Sequence, residues 1–427
     1  MAAITSGEVV RLCTMGSVDD GKSTLIGRLL HDCRLILEDQ LTAVRDASMR
    51  RGWDGLDLSL ITDGLRAERE QGITIDVAYR YFATPRRRFI LADTPGHVQY
   101  TRNTVTGAST AQVALLLVDA ERGIGEHARR HAFVASLLRV PHLVVCVNKM
   151  DKVGWSEGRF AELREKLARF TSVLSFGEVR FIPISALRGD NVVEESRNMP
   201  WYDGGTLLSC IETIEVAADR DLVDVRLPVQ FVIRERGTSG AAGRWYAGQL
   251  AAGVLRVGDE VAILPSGLRS KVAALANGRP VDQVVPPMSV RLTLTDDLDI
   301  SRGDMIVRVT DQPSVLRDLD VVACSLAPMP LREGTRVVLL HTTRSTPGTV
   351  ASIRYRIDVN TLERDPAVSE LGFNEIGRLT IRAASPLFYD SYRTNRATGG
   401  LILVDEATNA TVAAAMIVDP SDKEESL

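Results

Sequence analysis

"EVVRLCTMGSVDDGKSTLIGRLLHDC", residues 8–33, runs an apolar stretch into a glycine-bounded loop and then into a second apolar pattern. Val9, Val10, Leu12, Cys13 and Met15 read as a short strand that ends at Gly16. Leu25, Ile26, Leu29 and Leu30 recur at helical spacing on one face. Between them, Gly16, Gly21, Lys22 and Ser23 fit G-x-x-x-x-G-K-[ST], the phosphate-cradling P-loop pattern. Strand, glycine loop, helix is the context that pattern requires, so the stretch is read as a nucleotide site. In such a loop the phosphates rest on the backbone of Gly16, Ser17, Val18, Asp19, Asp20, Gly21, Lys22, Ser23 and Thr24, at a helix N-terminus. Lys22 supplies the neutralising charge, and the Ser23 hydroxyl is placed for Mg²⁺. Side chains at the x positions point elsewhere. Asp19 is expected to fix the loop or a monovalent cation, and Asp20 to face mobile switch segments or a partner.

Outward from this stretch the first half alternates strands and helices. "VVRLCTMG", "IDVAYRYF", "RFILAD", "VALLLVDA", "HLVVCVNK" and "VRFIPIS" are near-continuous apolar runs, as expected of strands covered on both faces in a mostly parallel sheet. "IDVAYRYF" and "RFILAD" stand too close for a helical crossover and are predicted to pair antiparallel. From about Val225 helices nearly vanish, and short β-rich segments broken by Gly, Pro and Asp point to β-barrels. The expected organisation is a P-loop domain over 1–222, barrels over 225–315 and 316–418, and a disordered tail over 419–427.

The 427 residues carry a net charge of −4, so no general basic field draws the chain to nucleic acid or an anionic membrane. The one basic run, Arg86 to Arg88, lies between two strand-like stretches and reads as a solvated hairpin turn. Five scattered cysteines without a C-x-x-C pair fit a reducing cytoplasm. The start is not a signal peptide, and "VALLLV" (113–118) is far too short to span a bilayer.

Three further motifs end predicted strands, which gathers them at the carboxyl edge of the sheet. "NKMD" (Asn148, Lys149, Met150, Asp151) selects the base. Guanine offers N1–H and a 2-amino group side by side, and the Asp151 carboxylate accepts both; adenine would set a lone pair against it. Asn148 either bonds the guanine O6/N7 edge or braces the loop, the Lys149 stem covers the base, and backbone N–H groups of Ser185, Ala186 and Leu187 reach O6. "DTPGH" (Asp93, Thr94, Pro95, Gly96, His97) carries the chemistry: Asp93 holds Mg²⁺ through water, the Gly96 N–H binds the γ-phosphate, and His97 orients the attacking water. Thr74 in "QGITID" is a second Mg²⁺ ligand that engages only when the γ-phosphate is present. His127 and His131, four apart in "EHARRH", lack a third ligand by pattern and are read as a solvated helix face.

"GSVDDGKST", "AEREQGITID", "DTPGH" and "NKMD", followed by β-barrels, resemble the translational GTPases of the elongation factor Tu and elongation factor 1-alpha kind. Translation factors typically read G-H-V-D-x-G-K, whereas this chain has Ser17 for the His and Asp20 at the open position. "SALRGDNVVEESRNMPWYDGGTLL", "DDLDISRGDMI", "IRYRIDVNTLERD" and "NRATGGLILVDEATNATVAAAMI" resemble the GTPase subunit of bacterial sulfate adenylyltransferase, the CysN family, over nearly the whole chain. The resemblance implies an α/β P-loop GTPase domain followed by two β-barrel domains. It also implies that GTP hydrolysis with Mg²⁺ drives synthesis of adenosine 5′-phosphosulfate and pyrophosphate by a smaller ATP-binding subunit of the CysD type. Sulfate and ATP would then bind that partner. The alternative is an elongation-factor-type GTPase carrying aminoacyl-tRNA, which shares every G motif. Val98, where relatives commonly have Glu, and the 234–248 stretch depart from the family pattern. No second P-loop pattern follows residue 24, so a fused adenylylsulfate kinase is not expected.

Overall fold

The computed structural model describes residues 9–50, 56–61, 76–216, 221–236 and 242–419. β1 (Val9–Met15) is continuously buried from Leu12 onward, as a central strand must be. The chain then forms α1 (Lys22–Asp32), α2 (Glu38–Arg50), β2 (Ala78–Ala83), β3 (Arg88–Asp93), α3 (Thr101–Ser109) and β4 (Val113–Asp119). There follow α4 (Glu126–Leu137), β5 (His142–Asn148), α5 (Glu157–Thr171), β6 (Glu178–Pro183) and α6 (Leu207–Thr213). These strands make one sheet in the order β2-β3-β1-β4-β5-β6. β2 and β3 pair antiparallel, Ala78 opposite Asp93, while β3, β1, β4, β5 and β6 run parallel. β4 is buried along its whole length, because helices cover both faces of the sheet.

The strand order reverses at β1, whose neighbours β3 and β4 come later in the chain. In open α/β sheets ligands settle at the carboxyl ends of the strands beside such a reversal. The loop after β1 lies there, and so do the ends of β3, β4, β5 and β6. The Arg86–Arg88 run is the turn of the β2–β3 hairpin and the start of β3; Arg87 reaches across to the Ile211 and Ile214 carbonyls at the end of α6.

Contacts divide the chain at Val216. The second unit is antiparallel β-structure. One eight-stranded sheet includes Arg226–Pro228, Phe231–Arg236, Ala242–Gln249, Glu260–Leu264, Leu268–Asn277, Ser289–Leu294 and Met305–Arg308 around a core with Tyr246, Leu255, Ile263, Leu292 and Ile306. The other is a closed barrel: Arg336–His341 pairs with Gly400–Asp405 on one side and Arg344–Ile357 on the other, so the sheet joins itself. Closure leaves those strands no free edge. Among the described residues no helix is long and apolar enough to cross a membrane. The expected tail falls almost wholly on residues 420–427, outside the described residues.

Candidate nucleotide site

The 16–21 loop owes its shape to three residues with positive φ: Gly16 at 143°, Asp19 at 68° and Gly21 at 92°. A side chain would not fit at either glycine. A Cβ on Gly16 would stand 2.8 Å from the Leu117 carbonyl, and one on Gly21 would stand 2.5 Å from Asn148 Nδ2. Gly21 is the N-cap of α1; no side chain caps that end, and its first turn holds no acid. The leading N–H groups and the helix dipole are therefore left to an anion. Lys22 Nζ donates to the Gly16 and Ser17 carbonyls at 3.0 and 2.8 Å, and burial lowers its pKa although Asp93, Asp20 and Asp19 oppose the shift. Ser17, Val18, Ser23 and Thr24 are half-buried around it.

Of the two acids of the loop, Asp20 departs from its expected place. Asp20 is only 5% exposed, and its Oδ2 accepts the Ser17 N–H at 2.6 Å. It is an internal brace instead of an outward-facing acid, because the turn folds its side chain back over the loop. Burial raises its pKa even though the Ser17 N–H and Lys22 pull the other way. Asp19 is the exposed one. A second correction concerns "EHARRH". His131 is buried, not solvated: α4 packs it under the loop, where Nδ1 accepts the Gly16 N–H at 2.9 Å. Burial first, then the charges of Lys22, His127 and Arg130, push its pKa down to about 3, so the ring is neutral and free to accept.

At the end of β5, Asn148 donates through Nδ2 to the Asp20 carbonyl at 2.7 Å and accepts the Ala186 N–H on Oδ1 at 2.9 Å. Of its two open roles it takes the brace, joining the P-loop to the 185–187 loop. Asp151 is half-buried, with Oδ1 accepting the Ser185 hydroxyl at 2.6 Å. Met150 is wholly buried and anchors the turn. Lys149 Nζ meets Asp119 Oδ2 at 2.7 Å. Burial alone would raise the Asp119 carboxyl, but Lys149 and the N–H groups of Glu121 and Arg122 more than offset it and hold its pKa below the usual carboxylate range. Asp119 was missed in the sequence; its one signal is an acid ending a strand that is otherwise fully apolar.

At the end of β3, Asp93 is buried, and its Oδ1 accepts the Thr14 hydroxyl at 3.2 Å. Thr94 is tied to the Thr14 carbonyl and Pro95 to Thr104 Oγ1, the latter at 3.0 Å. Gly96 lies so close to the P-loop that a Cβ there would stand 2.7 Å from the Gly16 carbonyl. His97 is exposed, its Nδ1 accepting the Gln99 N–H at 3.3 Å. Thr74 and most of "QGITID" lie outside the described residues, as does the Val98 side chain. The Ser23 hydroxyl and the Asp93 carboxylate are hard oxygen donors, which suits Mg²⁺ with water completing its shell.

The family model of the elongation factor Tu GTP binding domain matches residues 7–225, and that of the GTP-eEF1A C-terminal domain-like family matches residues 318–418. The bifunctional enzyme CysN/CysC of Mycobacterium tuberculosis (strain ATCC 25618 / H37Rv) is 53% identical over 413 residues, covering 96% of this chain and 67% of that protein. Sulfate adenylyltransferase subunit 1 of Laribacter hongkongensis is 49% identical over 417 residues, covering 96% of this chain and 85% of its own length. The namesake from Bacteroides fragilis is 46% identical over 421 residues, covering 98% and 87%. The S. cerevisiae Ski7 GTPase-like domain, solved with GDP and inorganic phosphate, superposes with a TM-score of 0.53 at 18% identity over 96% of this chain and 97% of that one. That likeness speaks for the fold alone.

Proposed function

The chain belongs to the sulfate adenylyltransferase subunit 1 (CysN) family, within the elongation factor Tu type of GTPases, and on that membership we propose that it is the GTP-hydrolysing subunit of an ATP sulfurylase. A smaller ATP-binding subunit of the CysD type joins ATP and sulfate into adenosine 5′-phosphosulfate and pyrophosphate. That product holds a phosphate–sulfate anhydride, so the reaction runs uphill, and GTP hydrolysis here drives it. The five free cysteines suit a reducing cytoplasm.

Within this chain, the backbone of residues 16–24 holds the phosphates and Lys22 turns from the Gly16 and Ser17 carbonyls to the phosphate oxygens. Asp151 accepts the guanine N1–H and 2-amino group, with Ser185 holding its other side. His97 orients the water that attacks the γ-phosphorus, and the bond to the β–γ bridging oxygen breaks to leave GDP and phosphate. Mg²⁺, held by Ser23, Asp93 and Thr74, would neutralise charge across the β- and γ-phosphates. Gly96, packed against the P-loop, links the presence of the γ-phosphate to the segment after β3, the part a partner could read as a switch.

The observation that carries this reading is identity of 46–49% with subunit 1 relatives over nearly the whole chain, barrels included. The test is GTP turnover by the purified chain with the smaller subunit, ATP and sulfate added singly and together. Turnover rises only with all three, and His97→Ala cuts the stimulated rate by roughly a hundredfold or more while GTP affinity stays within about twofold. Stimulation by aminoacyl-tRNA and ribosomes without any sulfate dependence refutes it.

A further inference from the structure

We propose that Arg28, which holds the 185–187 loop by its carbonyls as Asn148 holds it by an N–H, is the positioning residue that sets how the guanine 6-carbonyl is read. The inference rests on the GTP reading above and assigns a specificity role to a residue outside every G motif. Arg28 projects from α1 and grips two successive carbonyls: Nε donates to Ala186 at 3.1 Å and Nη2 to Leu187 at 2.5 Å. Nη1 lies 3.4 Å from Asp32 Oδ1, one turn along the same helix, which steadies the fork. Gly189 follows in the same loop, where its φ of 87° disfavours a side chain.

The grip has a directional consequence. A trans peptide unit is planar, with its C=O and N–H pointing in opposite directions. Holding the Ala186 carbonyl toward α1 therefore aims the Leu187 N–H away from α1. The other two N–H groups of the loop are engaged, Ser185 with the Asp190 carbonyl at 3.1 Å and Ala186 with Asn148 Oδ1 at 2.9 Å. Among the described residues the Leu187 N–H has no protein acceptor, which leaves it as the donor for O6. Six residues back on α1 is Lys22, about 9 Å away at 1.5 Å per residue, so one helix carries the phosphate end and the base end of the site together. A lysine cannot span two carbonyls as a guanidinium fork does.

The test measures equilibrium Kd values for GDP, 6-thio-GDP, IDP and ADP on the full chain and on Arg28→Lys and Arg28→Met. 6-Thio-GDP puts a larger, weaker acceptor at the 6-position and keeps the 2-amino group, whereas IDP keeps O6 and lacks the 2-amino group that Asp151 reads. The preference for GDP over 6-thio-GDP falls toward unity in both variants, by up to roughly tenfold, while the preference for GDP over IDP is kept. Arg28→Lys retains the charge and stem and carries the test if the methionine variant does not fold. An undiminished preference over 6-thio-GDP overturns the inference. Equal loss of both preferences overturns it too, since that marks general loosening, and so does equal binding of GDP and 6-thio-GDP by the unaltered chain. ADP binding as tightly as GDP would instead refute the guanine reading itself.

Discussion

Asp19 and Asp20 are neighbours with opposite surroundings, and their replacement separates a brace from a surface charge. Asp20→Ala strands the Ser17 N–H that its carboxylate now accepts. Losing a bond to a charged acceptor inside the loop costs about 1–3 kcal/mol, so GDP affinity should fall by roughly ten- to a hundredfold. Asp19→Asn, which removes the charge and tolerates the φ of 68°, should leave it within about twofold, and equal effects in an equilibrium titration would refute the distinction. His131 gives the pH dependence. Its pKa is about 3 when folded against 6.5 when exposed, so between those values the unfolded chain binds a proton that the folded chain refuses. Stability from this group is complete above pH 6.5 and drains away as pH falls toward 3. His131→Asn keeps an acceptor near the Nδ1 position but cannot titrate. Its urea midpoint should therefore fall less steeply between pH 7 and 5 than that of the unaltered chain; identical slopes would show that other groups govern the acid limb.

At the scale of elements, α1 is held by close approach as much as by its apolar face. Gly27 sits in its middle, where alanine would ordinarily help by about 1 kcal/mol. Here a Cβ would stand 2.1 Å from the Leu58 carbonyl oxygen, and backbone cannot move aside as a side-chain tip can. Gly27→Ala should destabilise the first unit by roughly 1–3 kcal/mol as α1 is pushed off the Leu58–Ile61 turn. Gly158, in the first turn of α5, has nothing nearer than Ser156 Oγ at 3.9 Å. Gly158→Ala should stabilise by a few tenths to about 1 kcal/mol, because only the unfolded chain loses freedom. Urea midpoints of the two variants on either side of the unaltered chain would bear this out; a shift of the same sign in both would not.

At the scale of the molecule, the two large β-sheets of the second unit are joined by a buried ion pair. Arg226 is 3% exposed and Asp390 11%, with Nη2 and Oδ1 2.8 Å apart; the same guanidinium donates to the Asp311 carbonyl, and Asp390 accepts the Thr398 hydroxyl. Deleting one partner leaves an uncompensated buried charge, at a cost of about 3–5 kcal/mol. Arg226→Met should lower the calorimetric transition of the second unit, and Arg226→Met with Asp390→Leu should recover much of the loss. A double variant no better than the single would mean that the pair contributes as packing and not as charge.

How much of this was legible in the residues follows from how far each interaction reaches. A phosphate cradle is built from one run of backbone, so the spacing of Gly16, Gly21 and Lys22 was enough to find it. The motifs ending β3 and β5 and the loop after β6 come to one edge because parallel strands bring their carboxyl ends there, which strand periodicity already implied. The β texture after Val225 likewise marked the second half. Side-chain direction was another matter. His131 lies 115 residues from Gly16, Arg28 158 from Ala186, and Arg226 164 from Asp390. Periodicity assigns a residue to a face but does not say what packs against it. Asp20 shows the same limit at short range, since a loop of positive-φ residues, not any helical or strand repeat, turned its carboxylate inward. Sequence alone therefore determined which chemistry the chain carries and in what order. Tertiary packing decided which residues hold that chemistry in place, because a brace is defined by its partner and partners meet only once the chain has folded.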